Sequence, residues 1–144
     1  MSAMDEGTLH KVQYYETDQM GVVHHSNYIR WFEEARAEWM EAAGAPYARL
    51  EQEGIVSPVL SVSCTYRRAV RYGDTARIRV RVTSYNGVKL CVAYRVEDAA
   101  TGEERATGES AHAFLDAKTG IPLRLRRACP ELDAIFAAQV EKKS

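Results

Sequence analysis

An acid, a glycine and two histidines, Asp18, Gly21, His24 and His25, stand directly before Ser26 and Asn27 in the run YYETDQMGVVHHSNYIRWFEEAR over 14–36. A carboxylate can attack a carbonyl carbon, or take a proton from a water that does so. An imidazole can orient that water or hold the carboxylate. Ser and Asn favour helix starts, and the first N–H groups of a helix have no partner within it, so a partial positive charge faces whatever lies there. The order therefore sets an acid beside free backbone donors, the parts that acyl transfer requires. Asp18 taken alone also reads as a turn former bonded to its own backbone, and Gly21 as a turn with positive φ.

The elements that must position these groups follow from periodicity. After Asn27 the apolar residues Tyr28, Phe32, Ala35 and Trp39, flanked by Ile29, Trp31, Met40 and Ala43, recur at helical spacing, which predicts one long helix over 27–43, stopped by Gly44 and Pro46. A short strand is expected over 8–15 and a further helical turn over 47–53. Beyond Gly54 the period becomes two. Strands are expected over 56–66, 77–83, 88–96 and 104–115, with Ile78, Val80 and Val82 facing a core opposite Arg77, Arg79 and Arg81. Asn86-Gly87 predicts a type I′ hairpin turn, and residues 98–102 a second turn. Pro130, with Glu131 and Asp133 in a first turn and Leu132, Ile135, Phe136 and Val140 on one face, predicts a short surface helix over 130–140. One apolar helix with several amphipathic antiparallel strands is an α+β arrangement, in which a curved sheet wraps around the helix. Open sheet edges favour pairing with a second copy, so a homodimer is expected, with a dimer of dimers left open.

Composition narrows the function classes. The 144 residues make one domain, 1–144, by length, and a formal charge of -1 gives no global field for nucleic acid or anionic lipid. Cys64, Cys91 and Cys129 are odd in number and widely spaced, which fits neither a disulfide framework nor a thiolate metal site and suits a reducing cytoplasm. Residues 1–7 contain Asp5 and Glu6 without an apolar stretch, and no run is long enough to span a membrane, so neither secretion nor membrane insertion is expected.

The order Asp18, Gly21, Val22, Val23, His24, His25, Asn27, Tyr28, Glu33, Ala35, Arg36 resembles the signature of the hotdog-fold acyl-CoA thioesterases of the 4-hydroxybenzoyl-CoA thioesterase type. At lower specificity the similarity continues through Pro58, the strand 59–66, Arg67, Arg68 and Tyr72-Gly73-Asp74. The Glu16-Thr17-Asp18 and His25 pattern is most similar to the bacterial short-chain, Tol-Pal-associated branch. The resemblance implies hydrolysis of an acyl-CoA to free acid and coenzyme A, with Asp18 as nucleophile or general base and no metal or cofactor. It also implies that the backbone N–H of His25, at the helix N-terminus with Gly21 and Asn27 beside it, receives the developing oxyanion.

Other residues keep two readings. The His25 side chain acts directly or contributes only its backbone. His24 is packing or surface, and adjacent histidines should point in different directions, which argues against a metal site. Asn27 is expected to cap the helix and Tyr28 to pack near the thioester. Glu33 and Arg36 can pair across one turn, while the resemblance puts Glu33 at the site wall or a subunit contact. Arg67, Arg68 and Arg71 either hold coenzyme A phosphates or form a solvated strand end, and Arg124, Arg126 and Arg127 share that ambiguity. His112 reads as core or interface. The competing functions are a hotdog dehydratase or hydratase, and a non-catalytic acyl-binding protein.

Overall fold

A computed structural model describes residues 7 to 140. The long helix α1 (Ser26–Ala43) begins one residue earlier than expected and buries Tyr28, Trp31, Phe32, Ala35, Trp39 and Met40. It ends where Gly44 turns to φ 91°, letting the Ala45 N–H reach back to the Met40 carbonyl at 2.8 Å. Only glycine enters that left-handed conformation without strain. A short helix, α2 (Tyr47–Gln52), follows Pro46.

The strands are β1 (Thr8–Lys11), β2 (Ile55–Val56), β3 (Val59–Tyr66), β4 (Thr75–Tyr85), β5 (Lys89–Asp98), β6 (Glu104–Ala113) and β7 (Leu115–Asp116). Five form one antiparallel sheet in the order β1-β4-β5-β6-β3, and β2 pairs separately with β7. The expected strand over 8–15 stops at Lys11, because the chain turns into a 3-10 helix (Tyr14–Glu16) whose Glu16 carboxylate takes the Gln13 N–H at 2.8 Å. The strand expected over 56–66 is split at Ser57-Pro58, since proline has no N–H to add to a ladder. The Asn86-Gly87 hairpin forms, but not as type I′. Gly87 has φ 90°, no described non-glycine residue has positive φ, and the Asn86 side chain accepts the Val88 and Lys89 N–H groups at 3.0 and 2.8 Å.

Helix α1 packs on the sheet face that carries Ile78, Val82, Leu90, Val92, Tyr94, Val96 and Ala106, all buried. Phe32 stacks on Tyr94 with ring centroids 4.4 Å apart and planes 8° from parallel. Gly108 makes this approach possible, because a Cβ there would stand 2.3 Å from the Phe32 ring. The opposite face is polar, with the Glu97 carboxylate held by Arg79 at 2.9 Å and Arg95 at 3.1 Å. Two more helices, α3 (Leu125–Ala128) and α4 (Pro130–Ala138), close the end of the core near the α1 C-terminus. The expected surface helix is thus partly core: Leu132 and Phe136 are buried, Phe136 lies 6.1 Å from Trp39 between ring centroids, and the Tyr85 hydroxyl donates to Asp133 at 2.6 Å.

Arg36 does not pair with Glu33. It points inward, 7 % exposed, and donates to the Tyr47 and Tyr94 hydroxyls at 3.0 Å each, while Glu33 is exposed. Tyr94 lies 2.6 Å from Ser110 Oγ, which lies 2.7 Å from His112 Nε2. Because a guanidinium only donates, the protons of Tyr94 and Ser110 are directed onward and His112 Nε2 is the final acceptor. This requires a neutral imidazole, and His112 is 2 % exposed. Burial, helped by the Arg36 charge, pushes its pKa down from 6.5 to about 4.

The unfolded chain therefore takes up a proton at His112 near pH 6.5 that the folded chain refuses until about pH 4. Stability should fall as pH drops through that window, by on the order of 3 kcal/mol from this group. Urea unfolding of the wild type and of His112→Gln at several pH values should find that part of the slope missing from the variant.

Candidate active site

The segment after Glu16 folds back on itself as a small loop. Thr17 bridges Val23, Val22 bridges Arg71, and the Asp18 N–H bonds the Val22 carbonyl at 2.8 Å. Gly21, at φ 79°, makes the tight return and bonds the Asp18 carbonyl at 3.0 Å. Asp18 Oδ1 accepts the Met20 N–H at 2.8 Å and the Val22 N–H at 3.4 Å. The turn-forming role is thus real, yet it uses one oxygen. Oδ2 takes no hydrogen bond from any described residue and is free for chemistry.

Asp18 opens into a cavity of about 300 Å³ at the N-terminal end of α1, together with Val22, Val23, His25, Tyr28, Tyr66, Arg67 and Arg68. A larger hollow of about 620 Å³ lies on the polar face of the sheet. Its lining of Ser63, Thr65, Thr107, arginines and Glu104 and Glu109 offers paired charges and hydroxyls but no activated nucleophile.

His25 is the residue before the first turn of α1, and its own side chain does not cap the helix. The Asn27 N–H bonds the His24 carbonyl at 3.0 Å and the Ser26 N–H bonds His24 Nδ1 at 3.2 Å, whereas the His25 N–H meets no acceptor among the described residues. Asn27 is therefore not the expected cap. It lies inside the helix, buried, and its side-chain amide donates to the Glu16 carbonyl at 2.9 Å. Nor do the two histidines diverge: their exposed rings stack with centroids 4.1 Å apart, because His24 Nδ1 is drawn to Ser26 Oγ at 2.9 Å. No group of three or more His, Cys, Asp or Glu among the described residues is placed to hold a metal.

Two residues without a structural role in the sequence reading hold this arrangement, Glu16 having figured only in the Glu16-Thr17-Asp18 pattern. Glu16 is 4 % exposed, and its carboxylate accepts from His10 Nε2 at 2.8 Å, Trp31 Nε1 at 2.8 Å and the Gln13 N–H at 2.8 Å. Its carbonyl takes the His24 N–H at 2.8 Å besides the Asn27 amide. Burial opposes the charge, but the bonds from Gln13, His10 and Trp31 outweigh it and hold the carboxyl below its ordinary value. The only sequence hint was a Glu three positions after a polar residue at a turn. Tyr66, the last residue of β3, donates its hydroxyl to the His25 carbonyl at 3.0 Å and sets its ring edge-on to Tyr28 at 4.9 Å. Nothing in the alternation of β3 distinguished it.

The remaining candidates separate. Arg67 lines the cavity but lies 3.7 Å from Glu104, while the Arg68 side chain meets no described hydrogen-bond or ion-pair partner. Arg71 joins through its backbone, as the partner of Val22, and its side chain is outside the cavity lining. Glu33 is exposed and also outside that lining. Arg124, Arg126 and Arg127 are exposed around α3, which packs with α4 at the other end of the core. No helix among the described residues is long and apolar enough to cross a membrane.

Residues 12–140 match the family model of the thioesterase-like superfamily. A putative acyl-CoA thioesterase of Bacillus subtilis, YneP, is 35% identical over 121 residues, which are 84% of this chain and 87% of YneP. Among solved structures, the DHNA-CoA thioesterase from Staphylococcus aureus superposes with a TM-score of 0.86 at 30% identity, covering 91% of this chain and 87% of that one. Hypothetical protein TT1821 from Thermus thermophilus gives 0.82 at 33% identity, covering 94% and 97%.

Glu16→Gln should cost about 2–4 kcal/mol at neutral pH, because an amide cannot accept from all three donors and sets its own NH2 against one of them. The pH signature has a definite sign. Stability from Glu16 is present above its unfolded pKa of 4.5 and lost as pH falls through the lower folded value, so denaturant titrations should find this acid limb only in the wild type.

Proposed function

This chain belongs to the thioesterase-like superfamily and has its hotdog fold, and from that premise we propose that it hydrolyses acyl-CoA thioesters to a carboxylic acid and coenzyme A at Asp18. The observation that carries the reading is that one cavity is lined both by Asp18, whose second carboxylate oxygen takes no bond from a described residue, and by His25, whose N–H meets no acceptor among the described residues. The thioester carbonyl sits with its oxygen toward the His25 N–H. Asp18 either attacks the carbonyl carbon or takes the proton of a water that attacks it. In both routes the electron pair moves onto the carbonyl oxygen and then returns, the C–S bond breaks, and the thiolate leaves. With Asp18 as nucleophile the product is a mixed anhydride that water opens; with Asp18 as base the acid forms directly. A preorganised donor at the oxyanion is worth about 3–4 kcal/mol of barrier in enzymes of known mechanism.

In this reading the order Asp18, Gly21, His25, Asn27, Tyr28 supports the 4-hydroxybenzoyl-CoA thioesterase type, and Glu16-Thr17-Asp18 its Tol-Pal-associated branch. Arg68, exposed in the cavity lining and without a hydrogen-bond or ion-pair partner among the described residues, is the residue best suited to a coenzyme A phosphate. The apolar lining of Val22, Val23, Tyr28 and Tyr66 accepts the acyl group, aliphatic or aromatic. The working unit in this reading is a homodimer paired through β3. That strand bonds β6 on one side only, and Val59, Leu60 and Val62 on it are 51%, 56% and 43% exposed.

Asp18→Asn retains an oxygen for the Met20 and Val22 N–H groups, so it should fold normally while losing about 10²- to 10⁴-fold in kcat. Thiol release from a panel of short, branched and aromatic acyl-CoA esters reads this out; wild-type turnover by the folded variant would remove Asp18 from the chemistry, and no release from any ester would favour the acyl-binding or dehydratase readings. Arg68→Ala should raise KM in a salt-dependent way with kcat little changed. Light scattering should give twice the chain mass, and Val62→Lys should reduce it to one.

A further inference from the structure

We propose that Tyr66 is a positioning residue for this hydrolysis, fixing the peptide that follows His25 so that the His25 N–H, one peptide earlier, keeps its aim at the oxyanion. The inference rests on the function proposed above and adds a residue from a different part of the chain. His25 has helical φ and ψ of -54° and -30° but lies before the helix proper, and the bond its carbonyl receives from the Tyr28 N–H is long, 3.4 Å. The helix itself therefore restrains this residue weakly. The Tyr66 hydroxyl supplies a second donor to the same carbonyl, at 3.0 Å. On the preceding side the His24 N–H is bound to the Glu16 carbonyl at 2.8 Å. The His25 backbone is thus clamped from the loop by Glu16 and from the sheet by Tyr66.

The phenol is equipped for the task. Its ring is braced edge-on by Tyr28 at 4.9 Å and by His25 at 6.4 Å, and it forms part of the cavity wall shared with Asp18. Burial, followed by the neighbouring Cys64 thiol, pushes the hydroxyl up to about 12, so it remains a donor at any pH where a carboxylate can act as base or nucleophile. Because the oxygen is engaged with the His25 carbonyl, Tyr66 acts through the backbone rather than on the thioester.

Tyr66→Phe removes this donor and leaves the ring in place. With the acyl-CoA that the wild type turns over fastest, kcat should fall about ten- to hundredfold, the scale of a small misalignment of a catalytic group. KM and the affinity for free coenzyme A should stay within about twofold, and the melting temperature within a few degrees, which a merely structural loss would not reproduce. An unchanged kcat would overturn the proposal. So would a fall in kcat/KM that arises from KM alone, since that would make the Tyr66 hydroxyl, and not only its ring, a substrate contact. Asp18→Asn, run in parallel, separates the two ideas: an active Asp18→Asn refutes the reading of the site, whereas an inactive one beside a fully active Tyr66→Phe refutes only the role of Tyr66.

Discussion

A carboxylate removed from water must be surrounded by donors or give up its charge, and Glu16 is surrounded. Its three carboxylate donors come from β1, from the turn after it and from the middle of α1, and its carbonyl holds two residues at the start of the same helix. None of these elements can shift without leaving a buried polar group unpaired. The loop that carries Asp18 is consequently anchored at both ends, at Thr17 through Glu16 and at Val23 through the Val70 carbonyl, while its middle projects over the cavity.

The two ends of α1 are treated differently by the surrounding structure. Its C-terminus is sealed by Gly44 and by the aromatic cluster of Trp39, Phe136, Phe114 and Tyr85. At its N-terminus the Ser26 N–H is taken by the His24 ring and the next two by backbone carbonyls, while the N–H of His25, just before them, meets no acceptor among the described residues. Between them, Arg36 places a positive charge inside the core and disperses it through hydroxyls toward His112 rather than against a carboxylate. A buried cation without an acid partner is costly, and its conversion into a directed chain of hydrogen bonds makes the helix-to-sheet contact specific as well as apolar.

The change of period from helix to strand, and the arginine-against-aliphatic alternation of β4, were readable because burial on one face leaves a regular mark in the residue order. The core face of α1 was read correctly at Tyr28, Phe32, Ala35 and Trp39 for the same reason. What could not be read were departures set by a single polar partner: β1 stops early because Glu16 draws in the Gln13 N–H, and Arg36 leaves Glu33 for two tyrosines, Tyr94 being distant in the chain. At the candidate site, Asp18, His25, Tyr28, Arg67 and Arg68, neighbours in the chain or in the motif, line one cavity. Tyr66 escaped notice because its contribution is a bond to backbone, and Glu16 was named only within its motif because its partners His10 and Trp31 lie in other elements.

The contact of Phe32 with Gly108 also bears on how such a chain can vary. The aliphatic strand residues facing α1 can exchange one aliphatic group for another at modest cost. Position 108 cannot acquire even a methyl group while a phenyl ring occupies position 32, because the ring would be displaced from its stack on Tyr94. Shrinking the ring alone would not admit one, since the same Cβ would stand 2.7 Å from the Ser63 backbone carbonyl oxygen. Position 108 is closed from the helix and from the neighbouring strand at once.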